Sequence, residues 1–339
     1  MSDAALAVEE LYVEYASGGG AVAAVQDVSF EIESGEILGI VGESGCGKST
    51  LALSLLGLLP RNARIRSGSI RLGTNELVGL DDAEMRSLRG REISVVFQDP
   101  MNSLNPTLTV GKQLADIVRA HSTRSERGSR QALRQRVVAA LDSVGIPDPQ
   151  ARINDYPHQF SGGMRQRILI AMSLLLGPSV IVADEPTSAL DVTLASQILQ
   201  LLEDLRSRFG TSILLVTHDL GIVAEVCDRA VIMYAGEIVE RGPVDDLFQA
   251  PLHPYTEALL QANLSGKDQS LELPTIPGRV PPLSALPTGC NFQDRCAYAQ
   301  SVCTLENPEE IRIGVRSARC YIHDPAADFT RDAGGQSDE

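Results

Sequence analysis

The octapeptide GESGCGKS, residues 42–49, limits the possible folds of this chain more than any other part of its sequence. It matches the pattern G-x-x-x-x-G-K-[ST] and lies between the apolar run EILGIVG (36–42) and the helical pattern KSTLALSLLGLL (48–59). In such a strand–loop–helix unit, backbone N–H groups of the loop surround a phosphate chain at the helix N-terminus. The motif therefore predicts an α/β fold of the phosphate-loop NTPase class.

The loop also supplies the predicted nucleotide ligands. Lys48 can reach the terminal phosphates, and the hydroxyl of Ser49 can bind Mg²⁺. A chance glycine-rich turn is the alternative, but the strand before the loop and the helix after it argue against that reading. The residues predicted to contact the nucleotide are Gly42, Glu43, Ser44, Gly45, Cys46, Gly47, Lys48, Ser49 and Thr50.

A pair of acidic residues follows a second apolar run, VIVADEP (180–186). Parallel sheets bind ligands at the carboxyl ends of their strands, so Asp184 is predicted to hold the Mg²⁺ shell. Glu185 is predicted to polarise the attacking water as a general base. Paired acids can also mark a helix N-terminus, where negative charge is favourable. The phosphate loop in the same chain favours the catalytic interpretation.

Short runs rich in Val and Ile alternate with helical patterns along residues 1–245, which is typical of an α/β sheet. Their near absence of charge indicates strands that are buried on both faces. Residues 105–176, in contrast, are helical by pattern and predict an all-helical insertion in the sheet domain. The predicted strands lie within 25–32, 36–42, 93–98, 179–184 and 212–218.

Charge and composition exclude several classes of protein. The chain has 29 Lys and Arg against 44 Asp and Glu, and this net charge of −15 disfavours a nucleic-acid partner. The N-terminus lacks the basic residues of a signal peptide, and the longest uncharged stretch, 168–183, is interrupted by Gly177-Pro178. We therefore expect a cytosolic chain without disulfides that reaches a membrane only through a partner.

The segment FSGGMRQR (160–167) resembles the signature motif of the ATP-binding cassette (ABC) ATPases, apart from Phe160 and Met164. The resemblance implies ATP and Mg²⁺ as cofactors, a RecA-like core with an N-terminal antiparallel β-subdomain, and an inserted helical subdomain. It also implies that the signature contacts the ATP bound by an opposing subunit. The residues that carry this role are Ser161, Gly162 and Gly163.

Four further positions match motifs of the same family. The resemblance implies that Tyr15 stacks on adenine, although a structural tyrosine of a strand is the alternative. It implies that Gln98 links Mg²⁺ to the transporter-facing surface and that His218 contacts the γ-phosphate. Asp191, in SALD (188–191), matches the loop that crosses the dimer interface. Glu185, His218 and Gln98 are thus the catalytic candidates.

The segments FQDPMNSLNP (97–106) and HPYTEALLQA (253–262) are similar to those of the dipeptide/oligopeptide importer subfamily. Its ATPase subunits carry a C-terminal extension with an HPYT helix, a proline-rich linker and a cysteine cluster. The expected organisation is a nucleotide-binding domain (1–250, helical subdomain about 100–177), the HPYT helix and linker (251–289), a cysteine domain (290–323) and a disordered acidic tail (324–339).

The spacing of Cys290, Cys296, Cys303 and Cys320 leaves three interpretations open. Disulfides would suit a secreted domain, and structural zinc sites usually contain close C-x2-4-C pairs, which this segment lacks. An iron–sulfur cluster tolerates wider spacing. The subfamily resemblance implies a [4Fe–4S] cluster, so we rank iron–sulfur first, zinc second and unligated cysteines third.

The resemblance implies an ATPase subunit of an ABC importer for dipeptides or oligopeptides, peripheral at the cytoplasmic face of the cell membrane. The implied partners are two transmembrane permease subunits, a second, paralogous ATPase subunit that forms a heterodimer with this one, and an extracytoplasmic solute-binding protein. The alternatives are an importer of nickel or another small solute, an ABC ATPase outside transport, and a redox-regulated ATPase.

Overall fold

The computed structural model of the chain describes residues 4–122, 129–188, 190–264, 276–327 and 329. The strands are β1 (Ala4–Ser17), β2 (Gly20–Glu33), β3 (Ile37–Val41), β4 (Ala63–Leu72), β5 (Asn75–Glu76), β6 (Ile93–Val96), β7 (Val180–Asp184), β8 (Ser212–Thr217), β9 (Arg229–Tyr234), β10 (Glu237–Pro243), β11 (Glu310–Ile313) and β12 (Arg316–Arg319).

The helices lie between groups of strands, and five of them follow one another in the insertion between β6 and β7. They are α1 (Lys48–Leu55), α2 (Asp82–Leu88), α3 (Pro100–Ser103), α4 (Val110–His121), α5 (Arg130–Ser143), α6 (Pro149–Arg152), α7 (Gly162–Leu174), α8 (Val192–Phe209), α9 (Leu220–Val226), α10 (Val244–Gln249) and α11 (Pro254–Leu264). None of the helices in the described ranges is long and apolar enough to cross a membrane.

The main sheet has the strand order β11-β12-β10-β9-β3-β8-β7-β6. The strands from β9 to β6 are parallel, whereas β10, β12 and β11 pair antiparallel at one edge. Each strand predicted from an apolar run is present. Helix α1 ends at Leu55, earlier than predicted, and Gly57 shortly after it has a φ of 59°, which cannot continue a right-handed helix.

Side chains of the central strands alternate between two apolar cores. In β8, Leu214 and Val216 face one core while Ile213 and Leu215 face the other. Because successive side chains of a strand point to opposite faces, a strand covered on both sides must be apolar throughout. This confirms the interpretation of the uncharged runs as doubly buried strands.

Different elements pack on the two faces of the main sheet to form the two cores. A four-stranded antiparallel sheet, β2-β1-β4-β5, and α1 cover one face of the main sheet. Helices α4, α5, α7 and α8 cover the other face, and α3 to α7 form the predicted helical insertion. The insertion also includes residues 123–128, which lie outside the described residues.

The C-terminal extension packs directly on the main sheet. Strand β12 pairs with β10, so the extension continues the sheet of the cassette. A third apolar core joins Val41 and Ile232 of the sheet to Tyr255 and Phe292 of the extension. The described part of the proline-rich segment, from residue 276, also packs on this core. The rest of that segment (265–275) and most of the expected acidic tail lie outside the described residues.

Candidate functional site

Two glycines allow the loop between β3 and α1 to lie close to neighbouring backbone. A Cβ on Gly42 would lie 2.2 Å from the carbonyl oxygen of Met233, and a Cβ on Gly47 would lie 2.4 Å from that of Ala24. Gly47 also has a φ of 107°, which disfavours any other residue. The fold therefore requires glycine at both positions, independently of any contact with phosphate.

The loop has a buried lysine and an exposed outer surface. Lys48 is only 7% exposed, and its Nζ donates hydrogen bonds to the carbonyl oxygens of Gly42 (2.6 Å) and Glu43 (3.1 Å). Ser44, Gly45 and Ser49 are exposed. Exposed loop residues beside a buried ammonium group at the start of a helix are suited to bind a phosphate chain.

The catalytic candidates meet at the carboxyl ends of β7 and β8. Glu185 accepts a hydrogen bond from Nε2 of Gln98 (2.8 Å), and its Oε1 lies 2.9 Å from Nδ1 of His218. The backbone N–H of Glu185 donates to the carbonyl oxygen of Val216 (2.8 Å), which joins the ends of the two strands. The structure thus brings Glu185, Gln98 and His218, which lie far apart in sequence, into one cluster.

Asp184 lies at the end of β7, one residue before this cluster. Burial raises the pKa of the Asp184 carboxyl and the neighbouring Glu185 raises it further, whereas the Lys48 ammonium group lowers it. Its carboxylate and the hydroxyl of Ser49 are oxygen donors of the kind that Mg²⁺ prefers. The donor set therefore fits Mg²⁺ between the loop and the end of β7.

Tyr15 lies beside the start of α1. Its hydroxyl is 3.1 Å from Oγ1 of Thr50, and its side chain is partly exposed on β1. This contact places the ring next to the phosphate-loop helix.

The signature residues belong to a different part of the fold. Ser161 caps α7 by accepting a hydrogen bond from the N–H of Met164 (3.3 Å), and Asp191 caps α8 by accepting one from Leu194 (3.0 Å). Gly163 packs against the side chain of Leu194, which links the two helix N-termini. Gly162 has open space around it. These residues form hydrogen bonds within their own helices rather than with the phosphate loop of the same chain.

A contact that the sequence did not predict joins the phosphate loop to the C-terminal extension. Arg295, between Cys290 and Cys296, forms an ion pair with Glu43 (Nη1 to Oε2, 2.6 Å). The hydroxyl of Tyr255, in the HPYT segment, accepts a hydrogen bond from the N–H of Glu43 (3.0 Å). The motif HPYT was recognised from the sequence, but no pattern indicated which part of the cassette its tyrosine contacts.

The four cysteines of the extension come together around one pocket, whose wall also contains Phe292, Pro308 and Ile322. Burial, together with the neighbouring thiols of the group, raises the pKa of both Cys290 and Cys320 to about 12. All six cysteines of the chain are free thiols. In the part of the chain that the structure describes, no three His, Cys, Asp or Glu side chains are grouped as ligands of a metal ion.

Family models match two parts of the chain. The model described as "ABC transporter" matches residues 25–188, and the model described as "Oligopeptide/dipeptide transporter, C-terminal region" matches residues 239–303. The dipeptide transport ATP-binding protein DppD of Bacillus subtilis is 45% identical to this chain, over 98% of the chain and 99% of its own length. The chain belongs to the ABC ATP-binding subunits of the dipeptide/oligopeptide importer family.

Other relatives and solved structures agree with this family. The oligopeptide transport ATP-binding protein OppD of Salmonella typhimurium is 45% identical and covers 93% of both chains. The dimeric cassette MJ0796, solved in a post-hydrolysis state with ADP and Pi, is 28% identical over 70% of this chain and 98% of its own, with a TM-score of 0.62. This ABC importer subunit is therefore an ATPase with the fold of the ABC cassettes.

Proposed function

We propose that this ABC subunit binds Mg-ATP at residues 42–50 and hydrolyses it with Glu185 as the general base. The observation that carries the proposal is the convergence of Gln98 and His218 on the carboxylate of Glu185, beside Asp184 and the phosphate loop. A base in acyl or phosphoryl transfer must be held in position by its neighbours, and here both carboxylate oxygens have a partner.

Each residue has a distinct role in the proposed reaction. The loop N–H groups and Lys48 bind the phosphates, while Glu185 accepts a proton from the water whose oxygen attacks the γ-phosphorus, so that ADP leaves. Because Nδ1 of His218 contacts Glu185, Nε2 is the ring nitrogen that remains for a γ-phosphate oxygen. Gln98 donates through its amide nitrogen, which leaves its amide oxygen for the metal. Ser49, Asp184 and Gln98 would hold Mg²⁺, which would neutralise phosphate charge when bound.

The proposed dimer completes the site. Ser161, Gly162, Gly163 and Asp191 lie at the N-termini of α7 and α8, and Tyr15 lies beside the nucleotide loop. We propose that Tyr15 stacks on adenine, and that the signature of a second, paralogous ATPase subunit faces this loop while the signature of this chain faces the partner's ATP. The solved dimeric cassettes MJ0796 support the pairing.

Replacing the base tests the catalytic assignment. Glu185→Gln keeps the size of the side chain but removes its basicity, so we expect ATP turnover at this site to fall by roughly 10²-fold or more. The affinity for ATP should stay within about threefold, because the loop is unchanged. Single-turnover hydrolysis by the assembled importer measures the first quantity, and equilibrium ATP binding measures the second.

Glu203→Gln is the matched control, because Glu203 lies on α8 and hydrogen-bonds to Gln200 outside the cluster. It should leave turnover within about twofold of wild type. Turnover near wild type in Glu185→Gln would show that Glu185 is not the base.

We propose further that the subunit powers uptake of dipeptides or oligopeptides from the cytoplasmic face of the membrane. DppD and OppD, which are named as dipeptide and oligopeptide transport proteins, support this substrate class. The partners would be two transmembrane permease subunits and an extracytoplasmic solute-binding protein. Affinity purification of the tagged subunit from membranes should recover permease subunits, and radiolabelled dipeptide uptake should require Lys48. Recovery without any membrane protein would contradict the proposal.

We propose that Cys290, Cys296, Cys303 and Cys320 hold a [4Fe–4S] cluster, with zinc as the second choice. Support comes from the placement of the four thiols around one largely apolar pocket, since four cysteines are the usual ligands of such clusters. Iron and sulfide near four per chain after anaerobic purification would agree with the proposal. Zinc without sulfide would contradict it.

A further inference from the structure

We propose that Arg295 and Tyr255 of the C-terminal extension are positioning residues of the ATP site: they hold Glu43 in place and neutralise its carboxylate, so that the phosphate loop is ready for the triphosphate. The inference rests on the proposed nucleotide site and adds two residues to it from outside the cassette. It assigns the extension a direct part in nucleotide affinity.

The contacts of Glu43 show how completely the extension and the loop restrain this residue. Its N–H donates to the hydroxyl of Tyr255 (3.0 Å), and its carbonyl oxygen accepts a hydrogen bond from Lys48 (3.1 Å). Its carboxylate accepts two hydrogen bonds from Arg295, Nη1 to Oε2 at 2.6 Å and Nη2 to Oε1 at 3.1 Å. Backbone and side chain of one loop residue are therefore held from two directions, and a two-point arginine–carboxylate contact also sets orientation.

The arginine is itself fixed by its surroundings. Its side chain is only 4% exposed, its Nε donates to the carbonyl oxygen of Pro277 (2.8 Å), and its guanidinium lies 5.7 Å from the ring centre of Tyr234. The rings of Tyr234, Tyr255 and Phe292 contact one another with centres 4.7–5.3 Å apart. A charged group packed this tightly loses little conformational freedom when it binds, so it can determine where Glu43 lies.

The charge of Glu43 gives the contact a second effect. A carboxylate in a loop that receives a triphosphate repels the ligand, and this repulsion is strong where water is partly excluded. Glu43 is 30% exposed at its side chain and is paired with Arg295. Neutralisation by Arg295 therefore removes an unfavourable interaction that the loop sequence would otherwise create.

Calorimetric titration of the purified full-length subunit with Mg-ATP tests the proposal. Every variant also carries Glu185→Gln, which prevents turnover during the measurement. Arg295→Gln should weaken binding by about five- to tenfold, because the loop loses a restraint and regains an unneutralised charge. Adding Glu43→Gln to Arg295→Gln should recover most of the lost affinity, since the repulsive carboxylate is then absent. Equal weakening in the single and double variants would overturn the neutralisation.

Arg319→Gln is the matched control. Like Arg295, Arg319 directly precedes a cysteine of the pocket, and it forms an ion pair with the cassette through Asp27 on β2 (2.5 Å). Unlike Arg295, it does not contact the phosphate loop. Its substitution should leave ATP affinity within about twofold of wild type. An equal loss in Arg319→Gln and Arg295→Gln, or no loss in Arg295→Gln, would overturn the proposal.

Tyr255→Phe provides an independent test of the proposal if Arg295→Gln does not fold. It removes only the hydroxyl that accepts from the N–H of Glu43, and we expect about two- to fivefold weaker Mg-ATP binding. Coupling between two sites is reciprocal. Mg-ATP should therefore slow hydrogen exchange of the backbone in residues 290–300 of wild type more than in Tyr255→Phe. Unchanged affinity together with unchanged exchange would overturn the proposal.

Mg-ATP binding by Lys48→Ala shows whether a negative result contradicts the positioning role of Arg295 or the proposed nucleotide site itself. If Lys48→Ala abolishes Mg-ATP binding and Arg295→Gln leaves it unchanged, the nucleotide site stands and the positioning role is wrong. If Lys48→Ala still binds with normal affinity, the nucleotide site itself is wrong.

Discussion

Gly42 and Glu43, the first two residues of the phosphate loop, are constrained by contacts outside the motif. Gly42 lies against the backbone of β9, and Glu43 lies against Arg295 and Tyr255. The general pattern requires glycine at position 42 but allows any residue at 43. In this chain the second position is equally specific, because a buried arginine is paired with it.

Gly42→Ala should remove nucleotide binding by displacing the loop. The added Cβ would lie 2.2 Å from the carbonyl oxygen of Met233, and strand backbone cannot yield by that amount. We expect ATP affinity to fall by at least roughly tenfold, as a loop displaced by a fraction of an ångström loses its fit to the phosphates. Equilibrium binding of Mg-ATP measures the loss.

Gly18→Ala is the control, since nothing lies within 4 Å of a Cβ built on Gly18. It should leave ATP affinity unchanged. Normal affinity in Gly42→Ala would show that the loop can move without cost.

At the level of elements, the N-termini of α7 and α8 form one unit. Each helix begins with a side-chain cap, Ser161 or Asp191, and Gly163 packs against Leu194 between them. The signature and the SALD segment are separate motifs in sequence. Their contact indicates that a displacement of one helix start will move the other.

Ser161→Ala should reduce both stability and ATP hydrolysis. Loss of the cap costs about 1 kcal/mol of the free energy of unfolding, and it also removes the side chain proposed to face the partner's ATP. Ser129→Ala removes the equivalent cap of α5 and should cost a similar free energy without changing hydrolysis. Denaturant unfolding and steady-state ATPase assays of the assembled importer distinguish the two effects. Equal hydrolysis in both variants would contradict the role of Ser161.

At the level of the molecule, the extension and the cassette share a core. Phe292 is 2% exposed and packs between Tyr234 of β9 and Tyr255 of α11. Strand pairing of β12 with β10 adds backbone hydrogen bonds to this apolar contact. The extension is therefore anchored by both types of interaction, directly beside the loop that it contacts.

Phe292→Ala should weaken the attachment of the extension. Removing a buried phenyl ring costs about 3–5 kcal/mol, and here the ring bridges the cassette and the extension. Val315→Ala, at a residue 79% exposed in the same extension, should change the free energy of unfolding by less than about 0.5 kcal/mol. Denaturant unfolding measures both, and faster proteolysis within 276–327 should accompany only Phe292→Ala. A loss below 1 kcal/mol would contradict the shared core.

The sequence was sufficient to predict the sheet core and the helical insertion, whereas its assignment of the ATP-site residues stays a prediction. These features depend on short contiguous patterns: β3, the loop and α1 follow one another, and doubly buried strands must be apolar throughout. The cluster of Glu185, Gln98 and His218 was also within reach, because carboxyl ends of parallel strands meet at one edge of a sheet.

Only the tertiary structure decided how the extension meets the cassette. Arg295 and Glu43 are 252 residues apart, and neither residue alone indicates its partner. The pairing of β12 with β10 depends on which edge of the sheet is free. Local sequence patterns do not indicate which edge that is. A motif specifies the chemistry of contiguous residues, whereas contacts between distant segments follow from the shape of the surfaces that folding brings together.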